Sequence, residues 1–172
     1  MIEQLVIRCL RESDAIPPIT KLLHEAYAPL AAMGLRYTAT YQDDEVTLRR
    51  LTRGVAFVGE LDEQIVATVT LYPDGVEDGP CEWYRRMGVH YFGQFAVKPD
   101  LQRQGLGRRF VQLMEVEAAK RGAEELALDT AEPAHHLREW YQRLGYREVE
   151  LVQWGSTNYR SVILSKSLAP CP

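Results

Sequence analysis

The chain is short of everything that would tie it to a membrane, a nucleic acid, a metal or a disulfide scaffold. Its 172 residues include 3 cysteines, Cys9, Cys81 and Cys171, an odd set with no C-x-x-C spacing. A disulfide framework and a zinc site are therefore excluded, and no bound metal is expected. The longest largely apolar stretch, Tyr27 to Leu35, runs for 9 residues and is interrupted by Pro29 and Gly34. A membrane-spanning helix requires about 18 or more such residues, so no membrane association is expected. The amino-terminal MIEQLVIRCL has no positive region and no small-residue cleavage site, which makes a cytoplasmic protein the expectation. A net charge of −4, from 20 basic and 24 acidic side chains, removes any general attraction to nucleic acid or anionic lipid. There is no internal repeat and no G-K-[ST] triplet, so solenoids and nucleoside-triphosphate loops drop out.

What remains is ordinary for a folded domain: 46% hydrophobic and 26% charged residues. The length fits one domain spanning 1–172. Leu5 to Leu10 reads as a first strand. Ile16 to Ala32 reads as a helix, with Pro17 and Pro18 in its first turn and Ile19, Leu22, Leu23 and Tyr27 on one face. Asp43 to Arg53 is a second, shorter helix, and Val55–Leu61 with Gln64–Leu71 makes a hairpin around Asp62-Glu63. The segment from Tyr72 to Gly88, broken by Pro73, Pro80 and several glycines, is long for a hairpin connection and reads as a functional or mobile loop.

His90 to Val97 (HYFGQFAV) has the aromatic and branched composition of a buried strand, and Gly105 to Arg121 carries helical spacing in Leu106, Phe110, Leu113, Met114 and Ala118. A short strand over Leu126–Leu128, a helix over His135–Leu144 and a closing strand pair, Tyr146–Trp154 and Tyr159–Leu168, complete the order. The helix between the strands at 90–97 and 126–128 makes a βαβ crossover, which requires those two strands to be parallel. The rest reads as antiparallel, giving an α/β (α+β) fold with a mixed, mostly antiparallel sheet. If the closing strands at 146–168 are exposed, they offer an edge for a homodimer.

One local anomaly points to chemistry. Between Leu101 and Met114 stand Arg103, Arg108 and Arg109 with no acidic residue, in an acidic protein. Arg108 and Arg109 fall in a helix's first turn, where the macrodipole disfavours cations by about 0.3–1 kcal/mol each. Gly105 and Gly107 bare the backbone at the same point, so its N–H groups can approach a pyrophosphate. A plain turn with solvated arginines leaves the coincidence of strand, glycine pair, helix and basic cluster unexplained. The dinucleotide fingerprint fails, because Phe110 stands where its third small residue belongs.

Gln102-Arg103-Gln104-Gly105-Leu106-Gly107 resembles the Q/R-x-x-G-x-G/A signature of the GCN5-related N-acetyltransferase (GNAT) family, placed, as in that family, between a strand and a helix. About 35 residues on, Glu139-Trp140-Tyr141-Gln142-Arg143-Leu144-Gly145-Tyr146 resembles the family's second signature, a tyrosine-bearing helix that ends in Leu-Gly-Phe/Tyr. The element order is similar across nearly the whole chain.

That resemblance implies a GNAT-like sheet of about seven strands flanked by about four helices. It also implies acetyl-CoA as co-substrate and transfer of an acetyl group to a primary amine. Coenzyme A would be held by Gln102, Arg103, Gln104, Gly105, Leu106, Gly107 and Arg108 at its pyrophosphate. Phe95, Ala96 and Val97 would run along its pantetheine arm, with Lys98 or the arginines near the ribose phosphate. Tyr141 would be the catalytic acid. Its own residues allow this, since a phenol with a pKa near 10 stays loaded at pH 7 beside a thiolate whose conjugate acid is nearer 8.5. They equally allow a core aromatic, because Leu137, Tyr141 and Leu144 share a helical face.

The sequence departs from the family in two places. His90 to Val97 contains no carboxylate, where many members carry their base, and the Asn-x-x-Ala that often precedes the tyrosine is absent, with Ala134 and Leu137 in its place. His90, Glu82, Glu25 and Asp129 are the remaining candidates for the base, and His135 and His136 open the Tyr141 helix. Cys81 near His90 is a further pairing to test as a thiol nucleophile.

The resemblance places the acceptor, a small-molecule amine or a protein amino group, among Tyr27–Tyr41, Tyr72–Gly88 and Trp154–Tyr159. Trp83, Tyr84, Tyr37, Tyr41 and Trp154 form a candidate aromatic wall there, and Glu77, Asp78 and Glu82 a candidate lure for a cationic amine. The alternative class is a non-catalytic acyl-CoA sensor of the same fold.

Overall fold

The computed structural model describes residues 4–76 and 79–169. Glu77, Asp78 and Cys171 lie outside the described residues. In chain order the elements are β1 (Val6–Cys9), α1 (Ile16–Ala32), α2 (Asp44–Thr52), β2 (Val55–Leu61), β3 (Gln64–Tyr72), β4 (Val89–Val97), α3 (Leu106–Lys120), β5 (Glu125–Ala131), α4 (His135–Arg143), β6 (Arg147–Gln153) and β7 (Arg160–Ser167). Short 3-10 turns occupy Thr38–Thr40, Trp83–Arg85 and Pro99–Leu101. No helix among the described residues is long and apolar enough to cross a membrane.

The strands form one 7-stranded sheet in the order β1-β2-β3-β4-β5-β7-β6. Every neighbouring pair is antiparallel except β4 and β5, which the α3 crossover makes parallel. The expected mixed sheet with a central parallel pair is thus present. The β2–β3 turn has Asp62 and Glu63 at φ 49° and 62°, the left-handed pair that matches the twist of a two-residue hairpin. β5 is the one element clearly longer than the sequence suggests, seven residues rather than Leu126–Leu128. It pairs with β7 along its whole length, from Glu125↔Ser167 to Ala131↔Ser161, and that pairing overrides the weak strand propensity of Asp129.

Alternation along the strands sorts the core to two faces. Phe57, Val69, Leu71, Phe92, Leu126, Leu128 and Leu164 pack with Leu106, Phe110, Met114 and Ala118 of α3 and with Tyr141 of α4. Ala56, Val58 and Ala96 turn to the other face, against Ile19, Leu22 and Leu23 of α1 and Leu51 of α2. α2 starts cleanly: Asp43 Oδ1 accepts from Val46 N at 2.8 Å, and Asp44 and Glu45 occupy its first turn.

The second half of the 72–88 segment is a packed structure. Cys81 and Tyr84 are buried, and Glu150 of β6 accepts from the backbone N–H groups of Glu82 at 3.0 Å and Trp83 at 2.7 Å. Burial pushes the Cys81 thiol up to about 12, so it is protonated at neutral pH. His90 faces elsewhere, toward Asp74, so the Cys81–His90 nucleophile does not form.

Candidate active site

β4 and β5 are joined by only three residue pairs, Val89↔Glu125, His90↔Leu126 and Tyr91↔Ala127. Beyond them each strand follows its outer neighbour, β4 with β3 as far as Val97↔Ala67 and β5 with β7 as far as Ala131↔Ser161. The two strands therefore part, leaving a wedge between Phe92–Val97 and Leu128–Ala131. β4 also carries a bulge in this stretch. Thr68 pairs with Ala96 but Thr70 with Gly93, and Gln94 sits at φ 48°. The extra residue resets the alternation, so Phe92 and Phe95, three apart, both reach the α3 face.

The turn from β4 into α3 is built on its glycine. Gln102 Nε2 donates to Val97 O at 2.9 Å, tying the loop to the strand end, and Gln104 Nε2 donates to Asp100 O at 3.0 Å. Arg103 at φ 60° and Gly105 at φ 83° reverse the chain in left-handed conformations. Gly105 is the N-cap of α3, no side chain caps it, and the first turn holds no acid. The opening N–H groups of the helix are thus left for something outside it. Arg103, Arg108 and Arg109 are exposed around them, without a carboxylate partner among the described residues. A Cβ on Gly107 would stand 3.6 Å from the Trp140 ring and 3.7 Å from Phe95, which places the loop against the helix that carries Tyr141.

Tyr141 lies in the α4 face of the core, 8% exposed, with ring centroids 4.8 Å from Trp140, 5.9 Å from Tyr146 and 6.4 Å from Phe92. Its hydroxyl has no hydrogen-bond partner among the described residues. Burial holds the phenol protonated far above its ordinary range, and Tyr27, Tyr37 and Asp129 are near enough to add to the effect.

Asp129 comes from the part of β5 that lines the wedge. Asp129 is exposed, and its carboxylate accepts from Tyr84 Oη at 3.1 Å and from Trp154 Nε1 at 3.2 Å. Desolvation raises its pKa, and the Tyr84 and Trp154 bonds with the charge of Arg50 only partly offset that.

Aromatic side chains line both sides. Tyr37 lies between Tyr27, met edge-on at 5.3 Å, and Tyr159, tilted at 4.9 Å, and its hydroxyl bonds Thr130 Oγ1 and accepts from Ala131 N, each at 2.8 Å. Opposite, Tyr84 stacks on Tyr91 at 4.1 Å and approaches Trp154 at 6.2 Å. Of the expected wall, Tyr37, Tyr84 and Trp154 are brought together. Tyr41 is exposed beneath Arg36, and Trp83 packs instead under Arg86, 4.1 Å from its ring, beside Glu150.

Among the base candidates only Asp129 is in the wedge. His90 is buried at the paired end of β4, its Nε2 3.5 Å from Asp74, and burial lowers its pKa. Glu25 is an exposed partner of Lys21 on α1, Glu82 leads into the turn held by Glu150, and His135 and His136 are exposed at the start of α4.

A left-handed glycine turn opens α3 beside a sheet that splays at its one parallel junction. The acetyltransferase (GNAT) family model matches residues 18–146, and the chain belongs to that family. It is an acetyl-CoA-dependent N-acetyltransferase in class. It is 33% identical over 139 residues to the S-(2-succino)cysteine N-acetyltransferase of Bacillus subtilis (strain 168), spanning 78% of this chain and 79% of that one. In fold it is similar to a GNAT family acetyltransferase from Elizabethkingia anophelis solved with acetyl-CoA bound (TM-score 0.68, 17% identity, 96% and 99% of the two chains). It is also similar to the ribosomal-protein-S18-alanine N-acetyltransferase of Escherichia coli (TM-score 0.71, 18% identity, 98% and 96%).

Proposed function

We propose that the enzyme moves an acetyl group from acetyl-CoA to a primary amine by direct attack within the wedge, with Tyr141 protonating the departing thiolate. The observation that carries this is the parting of β4 and β5 with the Tyr141 phenol and the Asp129 carboxylate beside the gap. Coenzyme A lies with its pyrophosphate on the bare N–H groups of 103–108 and its pantetheine arm along Phe95–Val97, whose inner edge lacks a strand partner. Acetyl-CoA is a co-substrate, and the residues assign no metal.

The amine attacks the thioester carbonyl, the C–S bond breaks as the tetrahedral intermediate collapses, and the amine nitrogen gives up a proton. Asp129 is the acceptor of that proton, because it is the sole sequence candidate for the base in the wedge and its raised pKa brings it nearer the working pH. The Bacillus subtilis relative is named for S-(2-succino)cysteine, an amino acid with a free amine, and that compound is the first acceptor to test.

The test is release of coenzyme A thiol from acetyl-CoA with and without S-(2-succino)cysteine and other primary amines. Amine-dependent release is expected. A folded protein that fails to bind acetyl-CoA would overturn the proposal.

Asp129 also sets a pH dependence. A carboxyl must be ionised to take a proton, so kcat/KM is expected to rise with pH through a limb displaced upward from the ordinary carboxylate range. Asp129→Asn is expected to lower kcat about 100-fold and to remove that limb, leaving only the ionisation of the amine. Unchanged turnover with an unchanged limb would take Asp129 out of this role.

A further inference from the structure

Arg50, in the last turn of α2, is a half-buried guanidinium with no carboxylate partner among the described residues. A cation at a helix C-terminus favours the dipole, but the exposed Arg49 beside it already does so. Arg50 is different because it is held. Gln42 Oε1 accepts from Arg50 Nη1 at 2.7 Å. The end of the Gln94 side chain lies over the face of the guanidinium, 2.9 Å from Nη1 and 3.1 Å from Nη2 and Nε.

Both glutamines belong to the core, Gln42 at 2% and Gln94 at 3% exposure. Gln42 is fixed in turn by Thr47 Oγ1 at 2.7 Å and through its carbonyl by His24 Nε2 at 2.7 Å. Gln94 is the left-handed residue of the β4 bulge. Two buried neutral amides orient the guanidinium without cancelling its charge, an arrangement that leaves a costly ion in want of an anion.

The position says which anion. Tyr72 Oη donates to the Arg50 carbonyl at 2.7 Å, Tyr72 stacks on Tyr91 and Tyr91 on Tyr84, and Tyr84 Oη donates to Asp129, so Arg50 and Asp129 belong to the same cleft. Arg50 is not the site of the coenzyme phosphates, because α2 packs on the sheet face opposite α3 and its basic loop. Arg50 and Asp129 form no ion pair, so a cation and an anion face the cleft separately.

We propose that Arg50, positioned by Gln42 and Gln94, is the receptor for the α-carboxylate of the acceptor, an amino acid whose ammonium gives one proton to solvent and then presents its amine toward Asp129. This deepens the proposed function and rests on its reading of the wedge as the acceptor site. A planar guanidinium takes a carboxylate through two parallel N–H donors, so the contact fixes orientation as well as charge. A peptide N-terminus, which has no α-carboxylate, is a poor acceptor on this account.

The test titrates S-(2-succino)cysteine and its α-carboxamide into wild type, Arg50→Gln and Arg50→Lys by calorimetry, with acetyl-transfer kinetics in parallel and acetyl-CoA binding as the report on folding. Wild type is expected to bind the acid about 100-fold more tightly than the amide. Arg50→Gln should lose that preference by weakening the acid alone, with the amide and acetyl-CoA unaffected, and Arg50→Lys should restore part of it. Equal loss of acid and amide in Arg50→Gln, a preference that survives the substitution, or no binding of either by wild type would overturn the inference. Acid-selective binding without acetyl transfer would leave the carboxylate receptor standing and overturn the proposed function. Transfer that does not distinguish acid from amide would do the reverse.

Discussion

Gly107→Glu is expected to abolish acetyl-CoA binding, by at least about 100-fold, while the protein stays folded. A Cβ at this position meets the Trp140 ring at 3.6 Å and Phe95 at 3.7 Å, ordinary contacts that require no backbone movement. Gly107 is in the first turn of α3, where a carboxylate favours the helix dipole by about 0.3–1 kcal/mol, so the unliganded variant should melt no lower than wild type. The same charge occupies the N–H groups proposed for the pyrophosphate and repels it. Calorimetry with acetyl-CoA reads the loss and thermal melting reads the fold. Binding within a few-fold of wild type would show that the coenzyme does not use this turn.

Tyr141→Phe is expected to lower kcat by about 100-fold or more with acetyl-CoA affinity unchanged. The hydroxyl makes no hydrogen bond within the described protein, so its removal orphans no partner and stability should hold. Burial keeps the phenol protonated far above neutral pH, and the donor is therefore loaded throughout the working range. It also makes the phenolate strongly basic, so the proton it gives up is promptly recovered. No descending limb from this group should appear in the pH profile at neutral or mildly alkaline pH. Steady-state kinetics beside calorimetry separates the two quantities, and unchanged turnover would return Tyr141 to the role of a core aromatic.

The parts of this molecule that could be read from the sequence are those whose cause is local. The bounds of α1 follow from Pro17, Pro18 and the apolar face, and the glycine turn follows from Gly105 and Gly107 amid arginines. The parts that resisted reading have causes elsewhere in the chain. β5 reaches Ala131 because β7 pairs with it throughout, which no property of Asp129 or Thr130 announces. The bulge leaves one trace, Phe92 and Phe95 at a spacing strict alternation would place on opposite faces, but its left-handed residue is a glutamine.

The site itself shows the same division. Asp129 stood among four candidate bases because proximity in sequence cannot tell which strand end lines an opening. Nothing in the sequence sets Arg50 apart from Arg49 and Arg53 beside it. Its anchoring depends on Gln94, a strand away, and on the buried amide of Gln42.

Because β4 and β5 meet through three residue pairs, the sheet is mechanically two half-sheets on one short hinge. The amides of Phe92–Val97 that face the wedge have no strand across from them, and in the unliganded protein they should exchange their hydrogens for deuterium faster than those paired with β3. A pantetheine arm laid along that edge, as proposed, would supply the absent neighbour and span the gap. Bound coenzyme at about 100 times its Kd adds about 2.7 kcal/mol to unfolding. Its imprint on exchange should be concentrated along this one strand, as expected of a removable eighth strand.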